Sequence, residues 1–380
     1  MQIYLVGGAI RDRLLGLPAP FERDWVVVGS TPEEMQSKGF IKVGKSFPVY
    51  IDPNTSEEFA LARTEKKSGH GYHGFNFNAD PEISLEDDLM RRDLTINAIA
   101  EDENGNLIDP FNGIEDLNNR ILRHVSDAFK DDPLRVLRIA RFMAKLSSYR
   151  FIVADDTKGL INDIVSSGEL DYLVPERIWL ETEKALNTHS FCLYFDILNE
   201  LNALEHIYPS LYYAPEENYS LNYKLIDFFK CKEVNPEMRL ASIFCALDDA
   251  VQIDIIKNFD RIQNEFRFPN SFKFFIRTVM KTFQILTKPM DTFKSSDLYQ
   301  LLEITDAFRN SENFSKIIYF HNFIDDLDMK KKTDLLNKAL TASKDIGYEK
   351  KSFKGLRGDE IKEKIDKLRI EKINSIMNSS

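Results

Sequence analysis

Residues whose types and spacing suit chemistry gather near the amino terminus. Val6-Gly7-Gly8 closes an apolar run, Arg11 and Asp12 follow, and Glu22-Arg23-Asp24 leads into a second apolar run. Adjacent glycines let backbone N–H groups close on a phosphate, because no Cβ stands in the way. Arg11, one helical turn beyond Gly8, adds a charge-assisted contact to the same anion. Glu22 and Asp24 are separated by one residue, so on a strand both carboxylates project from one face, within reach of a pair of hard cations. Two Mg2+ ions held there would activate an attacking hydroxyl and stabilise a leaving pyrophosphate. Each part also has a purely structural use, the glycines as a turn and the acids as a solvated strand end.

The elements that must position these residues are short strands. Ile3–Val6, Trp25–Val28, Phe47–Ile51, Phe59–Ala62 and Ile96–Ala100 are apolar runs bounded by Gly, Pro, Asn and Asp, which predicts strands. The β-branched run Val26-Val27-Val28 suits a central strand buried on both faces, and Asp102–Gly105 suits a tight turn. From about Asp127 onward apolar residues recur at helical spacing, over Pro133–Leu146, Glu176–Leu186, Phe191–Leu204, Leu240–Phe259 and Asn270–Leu286. The expected fold class is therefore an α/β head followed by an all-α remainder. A Rossmann dinucleotide site is the rival reading, but the string is GGAIRD rather than GxGxxG, and Arg11 falls where a helix should pack closely on the sheet.

Further chemistry lies on charged residues inside apolar surroundings. Arg91, Arg92 and Asp93 precede an apolar stretch, with Asn97 four residues on; structurally this reads as a charged strand entry with Asp93 pairing an arginine. The helix expected at Pro133–Leu146 is apolar nearly all round, yet it carries Arg135, Arg138 and Arg141. Buried arginines need anionic partners. Internal salt bridges account for one or two of them, and bound phosphates for the rest. Asp132, just before Pro133, is also an ordinary helix-start residue. The segment Thr64–Ser84, rich in Lys, Gly, His and Asn, reads as a mobile loop, with His70 and His73 as surface residues rather than metal ligands.

Taken together, the glycine pair and the D/ExD pair resemble the nucleotidyltransferase superfamily that includes DNA polymerase beta. VGGAIRDRLLG…ERDWVVVG resembles the class II tRNA nucleotidyltransferases, the CCA-adding enzymes. The likeness continues in order through RRDLTINAIA, DPFNGIEDLNNRILR, DDPLRVLRIARF and PERIWLETEKAL, across roughly the first half of the chain. That resemblance implies a polymerase-beta-like head at 1–126, a helical neck with a nucleotide-selecting helix at 127–205, a helical body at 206–330 and a tRNA-contacting helical tail at 331–380. It implies Glu22 and Asp24 as catalytic metal-binding residues, with Glu22 standing where Asp is more usual. Gly8, Arg11, Arg92, Arg138 and Arg141 are implied to hold a nucleoside triphosphate. Asp132 and Arg135 are implied to select the base, Asp131 replacing the more frequent Glu beside them. Carboxylate accepts and guanidinium donates, so the pair suits cytosine and adenine, whereas the O4 of uracil and the O6 of guanine leave it mispaired. Glu58 matches a third acidic position. The implied reaction adds or repairs the 3′-terminal CCA of tRNA from CTP and ATP, releasing pyrophosphate. Alternatives are a CC-adding enzyme, an A-adding enzyme, a poly(A) polymerase, or a non-catalytic RNA-binding protein. None of the six histidines is followed by Asp, so the form lacking the metal-dependent phosphohydrolase domain is expected.

Composition agrees with a globular enzyme. The 380 residues are 43% hydrophobic and 29% charged, which excludes collagen-like and wholly disordered chains. With 50 Lys+Arg against 61 Asp+Glu the formal net charge is −11, so an RNA partner must be met by local positive charge. The stretch 349–372 is locally basic and offers either a solvated amphipathic helix or a phosphate-contacting arm. Cys192, Cys231 and Cys245 show no CxxC spacing, the opening apolar run is too short for a signal peptide, and no stretch reaches 18 apolar residues. A cytoplasmic location with no membrane and no protein partner is expected.

Overall fold

The β-branched run at Val26–Val28 lies in the middle of a seven-stranded mixed sheet, and its two faces bury different neighbours. The computed structural model describes residues 1–18, 23–43, 49–67, 75–212, 221–230, 234–324, 326–346 and 357–377, with side-chain surroundings omitted at 65–67 and 75–78. Among these, the chain forms two compact units, Met1–Pro209 and Ser210–Ser380. The first begins β1 (Gln2–Val6), α1 (Gly8–Leu14), β2 (Asp24–Val28), α2 (Pro32–Ser37), β3 (Ile41–Val43), β4 (Val49–Ile51) and β5 (Glu58–Leu61). It continues β6 (Thr64–Lys67), β7 (Phe75–Asn78), α3 (Leu85–Met90), β8 (Ala100–Glu101), β9 (Leu107–Ile108), α4 (Gly113–Asn119) and β10 (Ile121–Leu122). Next come α5 (Leu134–Lys145), β11 (Ile152–Val153), α6 (Asp155–Ser166), α7 (Pro175–Leu186) and α8 (Phe191–Glu200).

Strand order in the sheet is β3-β4-β5-β2-β1-β8-β9, with β2 and β5 parallel and the other pairs antiparallel. Side chains alternate across a strand, so Val26 packs with Val6, Leu89 and Ala100 while Val27 packs with Met35, Tyr50 and Phe59 on the opposite side. Asp24 shares the Val26 face. The α/β head and the helical remainder expected from the pattern are what the chain forms.

Several local expectations are corrected. The stretch Ile96–Ala100 is a strand only from Ala100; Thr95–Asn97 is a 3-10 turn. Its apolar alternation is satisfied by burial of Leu94, Ile96 and Ile99, while the Thr95 hydroxyl donates to Asp116 Oδ2 at 2.8 Å and the Asn97 amide to Asp93 Oδ1 at 3.1 Å. Arg91–Asp93 accordingly follow a helix rather than enter a strand. The stretch read as a loop contributes β6 and β7, which pair antiparallel, and Ser84 starts α3 with a capping box to Asp87. His70 and His73 lie outside the described residues. The helix expected at Phe191–Leu204 stops at Glu200, where Asn202 turns left-handed at φ 56°, and a short helix follows at Leu204–Ile207.

Gly113 shows why one motif residue cannot vary. A Cβ there would stand 2.1 Å from the Thr95 carbonyl oxygen, so α4 can lie against the 3-10 turn only if its first residue has no side chain. Asp109 secures the same junction by accepting from the N–H groups of Gly113 and Ile114 at 2.7 and 2.8 Å.

The second unit is helical, with segments at Tyr223–Lys230, Pro236–Ala246, Asp249–Lys257, Phe259–Phe266, Asn270–Leu286, Ser295–Ile304, Ser311–Asn322, Leu327–Ser343 and Gly358–Met377. Asn270–Leu286 agrees with the periodicity. Leu240–Phe259 does not run as one helix, because Asp248 caps a new one through the Ala250 N–H at 2.9 Å. Fully buried Phe229, Phe244, Phe266, Phe275 and Phe320 fill the core of this unit. Among the described residues no helix is long and apolar enough to cross a membrane.

Candidate active site

A cleft of about 540 Å³ opens at the end of β1 and the start of β2 and gathers nearly all the residues singled out by spacing. Its floor is Gly7, Gly8, Asp24 and Glu58; its walls carry Arg92, Asp93 and Asn97 from the turn after α3, and Asp132, Arg135, Arg138 and Arg141 from the start and face of α5. Glu22 lies outside the described residues, so the carboxylate pair is seen only through Asp24.

A second carboxylate nevertheless faces Asp24. Parallel pairing of β2 with β5 sets Asp24 opposite Glu58, and strand neighbours lie about 4.8 Å apart. Both side chains are exposed to the cleft, and neither is engaged by a cation among the described residues. The adjacent Glu57 is turned away, accepting from Trp25 Nε1 at 3.1 Å and lying 3.7 Å from Arg23. Alternation along β5 thus assigns Glu58 to the cleft and Glu57 to the other side.

Gly7 takes φ 75°, a left-handed conformation that starts α1 directly after β1, and a Cβ there would meet Arg92 Nη1 at 3.2 Å. Arg92 is steered by Asp88, which accepts from its Nη2 at 3.2 Å, while Arg92 Nε is buried with no hydrogen-bond partner. Asp88 is completely buried and also accepts from Arg91 Nε and Nη2 at 3.1 and 2.5 Å and from the Arg63 N–H at 3.3 Å. Burial opposes its ionisation, but Arg91 and Arg92 outweigh burial and hold its carboxyl below the ordinary range.

Arg11 reaches the cleft yet is almost wholly buried. Its Nε and Nη2 lie 2.8 and 2.6 Å from Asp12 Oδ1, and its Nη1 donates to Asn97 Oδ1 at 2.6 Å. Burial draws its guanidinium below the ordinary value despite Asp12. The three arginines of α5 all have partners within the protein. Arg138 Nε and Nη2 lie 2.8 and 2.7 Å from Asp93 Oδ2, and Arg141 Nε donates to Glu181 Oε2 at 2.5 Å. Arg135 donates to the carbonyl oxygens of Ala128 and Arg91, at 2.7 and 2.5 Å. Internal salt bridges thus serve Arg138 and Arg141, within the one or two anticipated, and main-chain carbonyls accept from Arg135.

Asp132 has a partner that the spacing did not single out. Arg177, on the first turn of α7, grips Asp132 with both arms, Nη1 to Oδ1 at 3.2 Å and Nη2 to Oδ2 at 2.8 Å. Asp132 also accepts from the Leu134 N–H at 3.3 Å, the helix-start role anticipated for it.

Sequence reasoning passed over Arg177, Glu181, Asp88 and Arg63. For three of them a signal was present: Arg177 and Glu181 stand four apart on one helix, and Asp88 precedes Arg91 and Arg92 by three and four residues. Arg63 had no comparable signal, since its contact to Asp88 runs through its backbone.

Asp93 deepens the electrostatic argument. Burial would raise its carboxyl, but Arg138, Asn97 and Arg135 hold it far below the usual range. Arg138 is correspondingly held above its ordinary value, since Asp93 and Glu181 outweigh burial. A carboxylate with a depressed native value contributes stability that is complete above the unfolded value of about 3.9 and is lost as pH falls toward the native value. Urea midpoints should therefore be level from pH 7 to about pH 5 and fall below about pH 4, less steeply in Asp93→Asn than in the parent. A parallel decline in both proteins would remove Asp93 from this role.

Comparison with known proteins bears on the same elements. Residues 3–123 match the poly A polymerase head domain family. A CCA-adding enzyme of Actinobacillus succinogenes is 58% identical over 219 residues, which are 58% of this chain and 54% of that protein. The match thus spans about half the length of that curated relative. A Thermotoga maritima CCA-adding enzyme solved with tRNA has a TM-score of 0.65 at 22% identity, covering 98% of this chain and 87% of the other. A Bacillus stearothermophilus CCA-adding enzyme solved with CTP has a TM-score of 0.68 at 22% identity, covering 98% and 89%. The likeness to CCA-adding enzymes read from the motifs is borne out, and the solved structures share the fold.

Proposed function

We propose, from the premise that residues 3–123 are a poly A polymerase head domain carried in front of a helical region, that this chain is a tRNA nucleotidyltransferase adding or repairing the 3′-terminal CCA from CTP and ATP. The observation that carries the reading is the pair of uncommitted carboxylates, Asp24 and Glu58, set opposite each other beside the Gly7-Gly8 turn and beneath the arginine-bearing face of α5. The close CCA-adding relative supports it. In the reaction the 3′-hydroxyl gives its proton to solvent and its oxygen bonds to the α-phosphorus, the bond from that phosphorus to the oxygen bridging to the β-phosphorus breaks, and pyrophosphate leaves with that oxygen and its charge.

The family implies dependence on divalent metal, and the donor set fits it: Asp24 and Glu58 present hard carboxylate oxygens that no cation engages among the described residues. Two Mg2+ ions on Glu22 and Asp24, with Glu58 assisting, remain part of the proposal. When bound, such ions lower the cost of the charge that develops on the attacking and leaving oxygens. The remaining roles belong to the chain. Gly8 and the α1 N-terminus cradle phosphate; Arg92, aimed by Asp88, and Arg138 and Arg141, aimed by Asp93 and Glu181, hold the triphosphate. Arg11 fixes Asn97 beside it. Asp132 accepts the exocyclic amine of cytosine or adenine, Arg135 supplies donors, and Arg177 keeps the Asp132 carboxylate facing the cleft.

The same proposal divides the chain into head 1–126, neck 127–205, body 206–330 and tail 331–380, the last two gripping tRNA by shape and phosphate contacts. It includes a cytoplasmic location, to which the buried thiol of Cys245 is suited. The test supplies tRNAs ending before C74, C75 or A76 with each nucleotide separately and sequences the products. Completion to CCA is expected. Extension that halts at C75, or that adds only A, assigns a CC- or A-adding enzyme; long A tracts assign a poly(A) polymerase; and no extension overturns the enzymatic reading.

A further inference from the structure

A second cavity, of about 770 Å³, lies in the first unit beyond the far end of α5. Its cations are Arg141, Lys145 and Lys184, and no carboxylate lines it among the described residues. Hydroxyls of Ser147, Ser148 and Ser190 complete much of its polar lining. A protein of net charge −11 that keeps acids out of one cavity while placing three cations there has a local field that attracts anions.

Arg141 lines both this cavity and the catalytic cleft. Arg135, Arg138, Arg141 and Lys145 recur at spacings of three and four, so they form one basic stripe along α5 from cleft to cavity. Lys145 is four residues past Arg141, a rise of about 6 Å. Asp12 and Glu181 neutralise part of this stripe, since Lys145 Nζ lies 2.9 Å from Asp12 and Arg141 is paired with Glu181. Lys184 sits on α7, is exposed, and forms no ion pair among the described residues. Positive charge therefore remains over at the cavity.

We propose that this cavity is a docking site for backbone phosphates of the RNA substrate, holding the strand whose 3′ end enters the catalytic cleft. The inference rests on the tRNA nucleotidyltransferase reading and deepens it. Free pyrophosphate offers the same chemistry. Backbone RNA is favoured because the basic stripe is continuous with the cleft, as suits a strand whose end enters it. Ser147 donates to Ser190 at 2.9 Å, which leaves the Ser148 and Ser190 hydroxyls to donate to phosphate oxygens, and Lys184 supplies a point charge that follows the strand without reading bases.

The test measures equilibrium binding of tRNA lacking its terminal A as salt is raised, a readout that needs no turnover. Lys184→Glu and Ser148→Glu both place an acid at the cavity on exposed positions, outside the residues assigned to chemistry. Each should weaken tRNA binding about five- to tenfold at low salt, and Lys184→Glu should reduce the slope of log affinity against log salt by about one. Turnover at saturating tRNA should stay within about twofold, and thermal midpoints should match the parent. Unchanged affinity and slope in both variants would overturn the proposal. So would altered inhibition by pyrophosphate with tRNA binding intact, which would assign the cavity to the free anion. Failure of wild-type protein to extend any tRNA, with binding intact, would strike the enzymatic reading and leave this surface standing.

Discussion

Alanine at Asp24 is expected to leave a folded protein that binds tRNA and extends it at least about 10³-fold more slowly with CTP and ATP alike. The size follows from removing a carboxylate that fixes charge at the reacting phosphate, worth several kcal/mol at about 1.4 kcal/mol per tenfold. The fold is expected to survive because Asp24 is exposed at the start of β2 and its side chain ties down no other residue among those described, the class of substitution that shifts stability by about 0.5 kcal/mol or less. Single-turnover incorporation and a melting curve on the same preparation separate the two effects. Glu58→Ala should also slow both additions, whereas Glu57→Ala should not, since its partners are Trp25 and Arg23. Turnover retained in Asp24→Ala would end the assignment of this carboxylate.

The second large effect concerns choice of base. Asp132→Ala should reduce discrimination of CTP and ATP against UTP and GTP by about 10²-fold, because rejection by mispaired polar groups is the strong form of specificity. Arg177→Ala should reduce it about tenfold through loss of the two-armed grip on Asp132, with tRNA affinity unchanged. Arg135→Ala should blur selection too, but with a loss of stability that Arg177→Ala does not show, since Arg135 ties the Ala128 and Arg91 carbonyls together. Competition among the four nucleotides, read by sequencing, gives each ratio directly. An equal slowing for all four in Asp132→Ala would mean that this residue shapes the helix start and does not read the base.

Much of the candidate site was legible before any coordinates. Gly7-Gly8 declares a phosphate-sized turn because only glycine tolerates φ 75° beside an incoming arginine. Val26 and Val27 declare a central strand because side chains on opposite faces must both be buried. Arg135, Arg138 and Arg141 announce buried charge because spacings of three keep them on one helix. The Thr95–Asn97 turn was misread because an alternating apolar pattern fits a buried 3-10 turn as well as a strand, and hydrogen bonds to Asp116 and Asp93 decide between them.

By itself the amino-acid order determined which groups this protein owns and where along each helix or strand they sit, since periods of two and about 3.6 are properties of the local backbone. Only the tertiary structure decided who meets whom: Glu58 rather than Glu57 opposite Asp24, Arg177 on Asp132, and Asp93 under Arg138. The last two contacts join residues 45 positions apart, and such pairings follow from how elements pack, which no local period encodes.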